Sequence, residues 1–386
     1  MFGIGNIEGD EDCLHLNVFV PTDEIDSRKK FDVVVIIHGG AFMTGSGHTM
    51  ADSRFLMDRD IIVVSINYRL GILGFLSSED AVIPGNNGMK DQVLALKWVK
   101  DNIASFGGNP DSVTITGLSA GGASVHLHYF SPMSKGLFAR GVSQSGTALD
   151  PWVIKENPLE SAKKLAVLLG CPESPSGALK ECLKERPLLV FQEKFKYFYG
   201  YENMPFSPFA PVIEKYSTNP FLSRDPYLLL KEKECSTFLG SHLPLQMRGY
   251  FQPHVSSILP DYCTRLEEID DSWPEIAHYV LDYNYTLPVS KREEVARRIK
   301  DFYLGPAEQI NKKNFNQFTQ IFTDRFKPSF ERTDDWLPTE DSELIYLNVT
   351  GPEDIKLQRT EHLTPSEFWR TLGLLEDENL LAKDEL

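Results

Sequence analysis

Residues 112–130 read SVTITGLSAGGASVHLHYF. The first six alternate in the manner of a β-strand, and ASVHLHYF reads as a helix. Between them lies Gly117-Leu-Ser119-Ala-Gly121, a G-x-S-x-G pattern. A strand running through such a pattern into a helix makes a sharp elbow that lifts the serine hydroxyl clear of the sheet. The neighbours of Ser119 must be small, because strand and helix leave no room for larger side chains at a strained corner. The helix that starts beyond it aims backbone N–H groups at the same place. The competing reading is a glycine-rich turn with an incidental serine, and the flanking strand and helix argue against it. A serine hydroxyl is a weak nucleophile unless a base and an orienting acid activate it. The rest of the chain therefore has to be searched for both.

Working outward, FDVVVIIH (31–38) and IIVVSIN (61–67) are continuous apolar, β-branched runs. Such runs suit central strands of a mainly parallel sheet covered on both faces. LHLNVFV (14–20) alternates and is expected at the outside of the sheet, while MKDQVLALKWVKDNIASF (89–106) has apolar residues at helical spacing. Beyond Pro151 helical patterns dominate, as in REEVARRIKDFYL (292–304) and PSEFWRTLGLL (365–375). The expected architecture is an α/β sheet followed by a helical region. HGGAF (38–42) ends a buried strand ahead of the elbow. Glycines there let the backbone approach a substrate and offer N–H donors to a developing oxyanion. The His38 side chain reads as structural rather than catalytic.

The chain has 386 residues, 41% hydrophobic and 24% charged, enough apolar material for a large core. A net charge of −16 argues against nucleic acid or an anionic membrane as partner. No apolar run approaches the length of a membrane span. The chain opens MFGIGNIEGDEDC, without the pattern of a signal peptide, yet ends KDEL at Lys383–Leu386, an address read in the ER. That combination raises the expectation that the N-terminus is incomplete. Five cysteines are present: Cys13, Cys171, Cys182, Cys235 and Cys263. Cys171 and Cys182 bracket a short loop, either as a local disulfide in an oxidising compartment or as two unrelated buried thiols. Sequons at Asn284 and Asn348 fit a secretory, glycosylated protein.

Several stretches together resemble one family. They are EDCLHLNVFVP (11–21), HGGAF, NYRLGILGFLS (67–77), GNNGMKDQVLALKWVKDNIASFGGNPDSVTITGLSAGG (85–122) and SQSGTALDPW (143–152). They are similar to type-B carboxylesterases, the cholinesterase-like branch of the α/β-hydrolase fold, with the flavour of insect carboxylesterases and juvenile-hormone-esterase-like enzymes. The similarity runs from about Gly9 to Leu230; His15 departs from an aromatic position of the family. The resemblance implies that Ser119 is the acyl-forming nucleophile. It implies that Gly40, Ala41 and Ala120 donate the oxyanion-hole N–H groups, and that Ser145 lies near the triad acid. It pairs Cys171 with Cys182 and gives Cys13 a partner upstream. The implied substrate is a small-molecule carboxylic ester, with no metal and no cofactor.

The two other triad members are not found. The family acid is a Glu in a segment preceded by Val-Pro-Trp, and no Glu lies between Glu234 and Glu267. Codons able to spell Leu243-Pro-Leu-Gln-Met-Arg-Gly249 can, one nucleotide out of phase, spell Thr-Ser-Ala-Asp-Glu-Gly. The same shift lets Thr237-Phe-Leu-Gly240 cover Val-Pro-Trp. Residues 235–263 are accordingly read as out of frame, with Cys235 and Cys263 accidental. None of the nine histidines (His15, His38, His48, His126, His128, His242, His254, His278, His362) sits in the family's late Gly/Ser–His–acidic context. NQFTQIFTDR (316–325) runs straight into FKPSFERTDDWLP (326–338), as if a histidine-bearing stretch were deleted near 325/326. His126 and His128 are read as packing residues. The expectation is one incomplete α/β-hydrolase domain over 1–386. It has a well-matched core over 1–234 and a helical C-terminal part over 264–386. Loss of acid and base would impair hydrolysis and uncover part of the sheet. The alternatives are a non-catalytic binding homologue of the same family and a damaged remnant.

Overall fold

The computed structural model describes residues 10–22, 24–50, 56–150, 152–199, 206–231, 239–241, 266–281, 287–311, 313–314, 317, 344–351 and 354–360. The chain forms two compact units, one of residues 4–199 and 206–242, the other of 1–3, 200–205 and 243–386.

The first unit is built on a six-stranded sheet. Its strands are β1 (Leu16–Phe19), β2 (Phe31–Ile37), β3 (Ile61–Ile66), β4 (Gly108–Leu118), β5 (Arg140–Gln144) and β6 (Leu239–Ser241). The spatial order is β1-β3-β2-β4-β5-β6, and only β1 runs antiparallel to its neighbour. The alternating stretch at 14–20 is thus the edge strand, as its pattern requires, and the two β-branched runs lie inside. β3 is buried almost throughout. β2 departs from the sequence expectation: Val33, Val35 and Ile37 are fully buried, but Asp32 is exposed and Val34 and Ile36 are half-buried. β4 continues the pattern, with Val113 and Ile115 fully buried and Thr114 and Thr116 half-buried. A run of valines and isoleucines reports β-propensity but not how far each face is covered. β4 also starts at Gly108, earlier than the SVTITG run, because pairing with Phe31 draws GNPD into the ladder.

Two helices cover the buried face. α1 (Asn87–Asn102) buries Met89, Val93, Leu96 and Val99, a stripe at spacings of three and four. α2 (Ala120–Phe130) is buried from Ala120 to His128, and its first turn is Ala-Gly-Gly-Ala. Those small residues let the helix axis close on the sheet: a methyl at Gly121 would collide with the Ile37 carbonyl oxygen. Further on, α3 (Pro158–Leu169) and α4 (Ser176–Lys184) are joined through the Cys171–Cys182 disulfide.

In the second unit, α5 (Leu266–Val280) and α6 (Val289–Leu304) pack together, with Trp273 Nε1–H donating to the Ala296 carbonyl at 2.9 Å. The helical reading of 292–304 is met there. A β-hairpin over Leu344–Gly351 and Asp354–Thr360 interrupts the helical pattern expected of the C-terminal part. The expected helix at 365–375 and most of segment 235–263 lie outside the described residues.

Candidate active site

The parallel strands end level with one another. Ile37 pairs with Gly117, Leu118 with Gln144, and Gln144 with Ser241. The loops after β2, β4 and β5 therefore leave the sheet at the same carboxyl edge, where open α/β sheets place ligands. Those loops begin with His38-Gly39-Gly40, Ser119 and Ser145.

Ser119 has φ 58° and ψ −122°, a region costing a non-glycine residue about 1–3 kcal/mol. Its surroundings hold it there. Its N–H donates to the Gln144 carbonyl at 2.8 Å, and its own carbonyl accepts from Ala123 N–H at 2.9 Å. A methyl at Gly146 would collide with the Ser119 carbonyl. Ser119 occupies the N-cap of α2, but its hydroxyl does not cap the helix. The side chain is left for other work.

The loop after β2 lies against the elbow. A methyl at Gly39 would sit 2.5 Å from the Leu118 carbonyl oxygen and 3.4 Å from Ser119 Cβ. Three residues in a row then take positive φ: Gly40 at 111°, Ala41 at 55° and Phe42 at 60°. Every carbonyl of this turn is engaged. Gly39 O accepts from His38 Nδ1–H at 2.8 Å. Gly40 O accepts from the N–H groups of Met43 at 2.8 Å and Thr44 at 3.0 Å, and Phe42 O from Gly71 N–H at 2.8 Å. Ala41 O accepts from Ser207 Oγ–H at 3.0 Å. By contrast, the N–H groups of Gly40, Ala41 and Ala120 donate to no group among the described residues. Three backbone donors thus stand unengaged on the two loops that meet at Ser119.

Ser145 begins the loop after β5 with φ 51°. It is 6% exposed, and its hydroxyl has no hydrogen-bond partner among the described residues. Such a buried, unpaired hydroxyl costs about 1–3 kcal/mol. Asp150 lies five residues on, fully buried. It accepts from Thr147 N–H at 2.9 Å and from Thr147 Oγ1–H at 3.3 Å. Burial raises its carboxyl to about 7, against a smaller lowering from those two bonds. No sequence argument singled out Asp150, because an acid after SQSGTAL reads as an ordinary loop residue.

The described histidines do not supply a base. His38 stacks on Tyr68, with ring centroids 4.4 Å apart, and the Tyr68 hydroxyl donates to the His38 carbonyl at 2.8 Å. Burial lowers His38 to about 4, so the ring is neutral. His128 is tied to Ser134 and Gln92 and lowered by burial to about 3. His126 accepts from Ala148 N–H at 3.2 Å and packs on Phe130. His15 is exposed on the segment ahead of β1, His48 is exposed in a short helix over Gly47–Met50, and His278 belongs to the second unit. His242, His254 and His362 lie outside the described residues. No described group hydrogen-bonds the Ser119 hydroxyl. Cys171 and Cys182 form the expected disulfide, and Cys13 is a free thiol. Cys235 and Cys263 lie outside the described residues. Among the described residues no cluster of His, Cys, Asp or Glu is arranged to hold a metal ion, and no helix is long and apolar enough to cross a membrane.

Comparison with known proteins gives a consistent picture. The model of the carboxylesterase family matches residues 3–336. Venom carboxylesterase-6 of Apis mellifera is 42% identical over 329 residues, covering 84% of this chain and 58% of that protein. Esterase FE4 of Myzus persicae is 40% identical over 329 residues, covering 84% of this chain and 57% of that protein. The crystal structure of juvenile hormone esterase from Manduca sexta, with OTFP covalently attached, superposes with a TM-score of 0.65. It is 25% identical and covers 82% of this chain and 58% of that one. The chain spans a little under three fifths of the length of each of these relatives.

Proposed function

The chain belongs to the carboxylesterase family and has its α/β-hydrolase fold, and from that premise we propose that it is a serine hydrolase of small-molecule carboxylic esters, with Ser119 as nucleophile. Ser119 Oγ attacks the ester carbonyl carbon, the carbonyl oxygen takes the negative charge, and the alcohol leaves with a proton. Water then releases the acid from the acyl-serine. The N–H groups of Gly40, Ala41 and Ala120 stabilise the oxyanion in both halves of the reaction. The observation that carries this reading is the convergence of a strained, uncapped Ser119 with three unengaged backbone donors at one sheet edge.

Turnover by this chain is expected to be slow. No described carboxylate or histidine reaches Ser119, and an acyl-transfer site without acid and base keeps only the contribution of binding and the oxyanion hole. The same observation favours a second reading, a homologue that binds esters or their acids without turning them over. The disulfide favours the secretory pathway.

A fluorophosphonate probe tests the first reading. Labelling of the chain that disappears in Ser119→Ala establishes an activated serine. A folded chain that resists the probe, yet binds a hydrophobic ester saturably, establishes the second.

A further inference from the structure

Ala41 and Phe42 hold positive φ without being glycine, at a cost of about 1–2 kcal/mol each. Such a turn persists only where its surroundings over-determine it. Because each peptide is planar and trans, fixing a carbonyl also fixes the N–H on the other side of the bond. The Gly39–Gly40 peptide is held by the neighbouring His38 ring. The Gly40–Ala41 peptide is held by Met43 and Thr44, within the turn itself. The Ala41–Phe42 peptide has no such local partner. Its carbonyl is held by Ser207, 166 residues further along the chain.

Ser207 is 5% exposed and stands on a backbone that is itself pinned. The Asn86 side chain donates to Val212 O at 2.7 Å and accepts from Val212 N–H at 2.8 Å. Buried Glu214 takes Asn86 Nδ2–H at 2.9 Å, Phe221 N–H at 2.6 Å and the Lys90 ammonium. Lys155 N–H donates to Pro211 O at 2.8 Å. The hydroxyl of Ser207 is therefore presented, from just ahead of a hydrogen-bonded segment, to the Ala41–Phe42 peptide, which the turn itself does not hold.

We propose that Ser207 is a positioning residue for an oxyanion donor: it holds the Ala41–Phe42 peptide, and with it the closed turn whose bonds from Met43 and Thr44 to the Gly40 carbonyl set the Ala41 N–H. The inference rests on reading the Ala41 amide as an oxyanion donor. Ser207 does not touch the reacting atoms and acts through Ala41. Released from it, Ala41 relaxes toward negative φ, the turn opens, and the Gly40–Ala41 peptide loses the Met43 and Thr44 bonds that set the Ala41 N–H.

The test compares the whole chain with Ser207→Ala and Ser207→Thr in two measurements. Hydrogen exchange by mass spectrometry is followed over residues 38–44, and the second-order rate of Ser119 labelling by a fluorophosphonate is measured on the same samples. Ser207→Ala is expected to speed exchange in 38–44 by about tenfold while α1 and α2 keep their protection, and to slow labelling by about tenfold. Ser207→Thr, which keeps the hydroxyl, is expected to restore both. Unchanged exchange in 38–44, or an increase spread evenly over the chain, overturns the proposal. A wild-type chain that exchanges as expected but never labels removes the nucleophile reading alone, since exchange still decides whether Ser207 holds the turn.

Discussion

Asp150 is a buried acid with no cation beside it among its described contacts. Thr147 supplies two hydrogen bonds from within the same loop, and burial prevails over them. Its folded pKa of about 7 lies above the ordinary carboxylate value of 3.8, so folding favours the neutral form. Stability from this group is therefore complete below about pH 4 and is lost as pH rises through about 7. Asp150→Asn keeps an acceptor for Thr147 N–H and removes the charge. Urea unfolding as a function of pH is expected to show the variant matching the parent near pH 4 and exceeding it at pH 8. Parallel curves across that range would rule out a neutral Asp150. His38 shows the same physics with the opposite sign: lowered to about 4, its contribution holds above pH 6.5 and is lost as pH falls through about 4.

Between elements, α1 and α2 are joined by a buried polar chain. Ser134 Oγ–H donates to His128 Nδ1 at 2.7 Å, and His128 Nε2–H to Gln92 Oε1 at 3.0 Å. Gln92 Nε2–H then donates to Ser124 Oγ at 3.2 Å, and Ser124 Oγ–H to Ala120 O at 2.8 Å. The chain ends on the turn that bears one of the candidate oxyanion donors. Each member satisfies its neighbour, so removing one leaves a buried group unpaired. Gln92→Leu fills similar space but strands His128 Nε2–H. It is expected to cost about 1–3 kcal/mol in urea unfolding, and a loss below about 0.5 kcal/mol would mean that the chain is not continuous in solution. His128 was legible as a packing residue from its place on a buried helix. The place of Gln92 on the Met89–Leu96 face follows from helical spacing, but its partners do not: that it meets His128 and Ser124 is settled by the approach of α2.

For the molecule as a whole, 55 acidic residues face 39 basic ones. Folding concentrates that excess, and self-repulsion opposes the compact state. Salt at about 0.15 M screens charges beyond about 8 Å. The thermal midpoint is accordingly expected to rise between about 0.01 M and about 0.15 M sodium chloride at pH 7; a flat or falling midpoint would show that paired charges, not the excess, dominate. Burial was only half legible at this scale. β3 and β2 read alike as apolar runs, yet β3 is covered on both faces while Val34 and Ile36 of β2 are half-buried. Coverage depends on which helices pack across a strand, and that is settled by contacts remote in sequence.

What the sequence determined by itself is local: the strand, the elbow, the following helix, the glycines that let them close, and the edge position of β1. These follow from backbone sterics and from side-chain periodicity over a few residues. The tertiary structure alone decided that Gly39 abuts Ser119, that Ser207 reaches Ala41 across 166 residues, and that Asp150 is stripped of water. Those facts come from long-range packing, in which hydrogen-bond partners and dielectric are set by neighbours that no local pattern encodes.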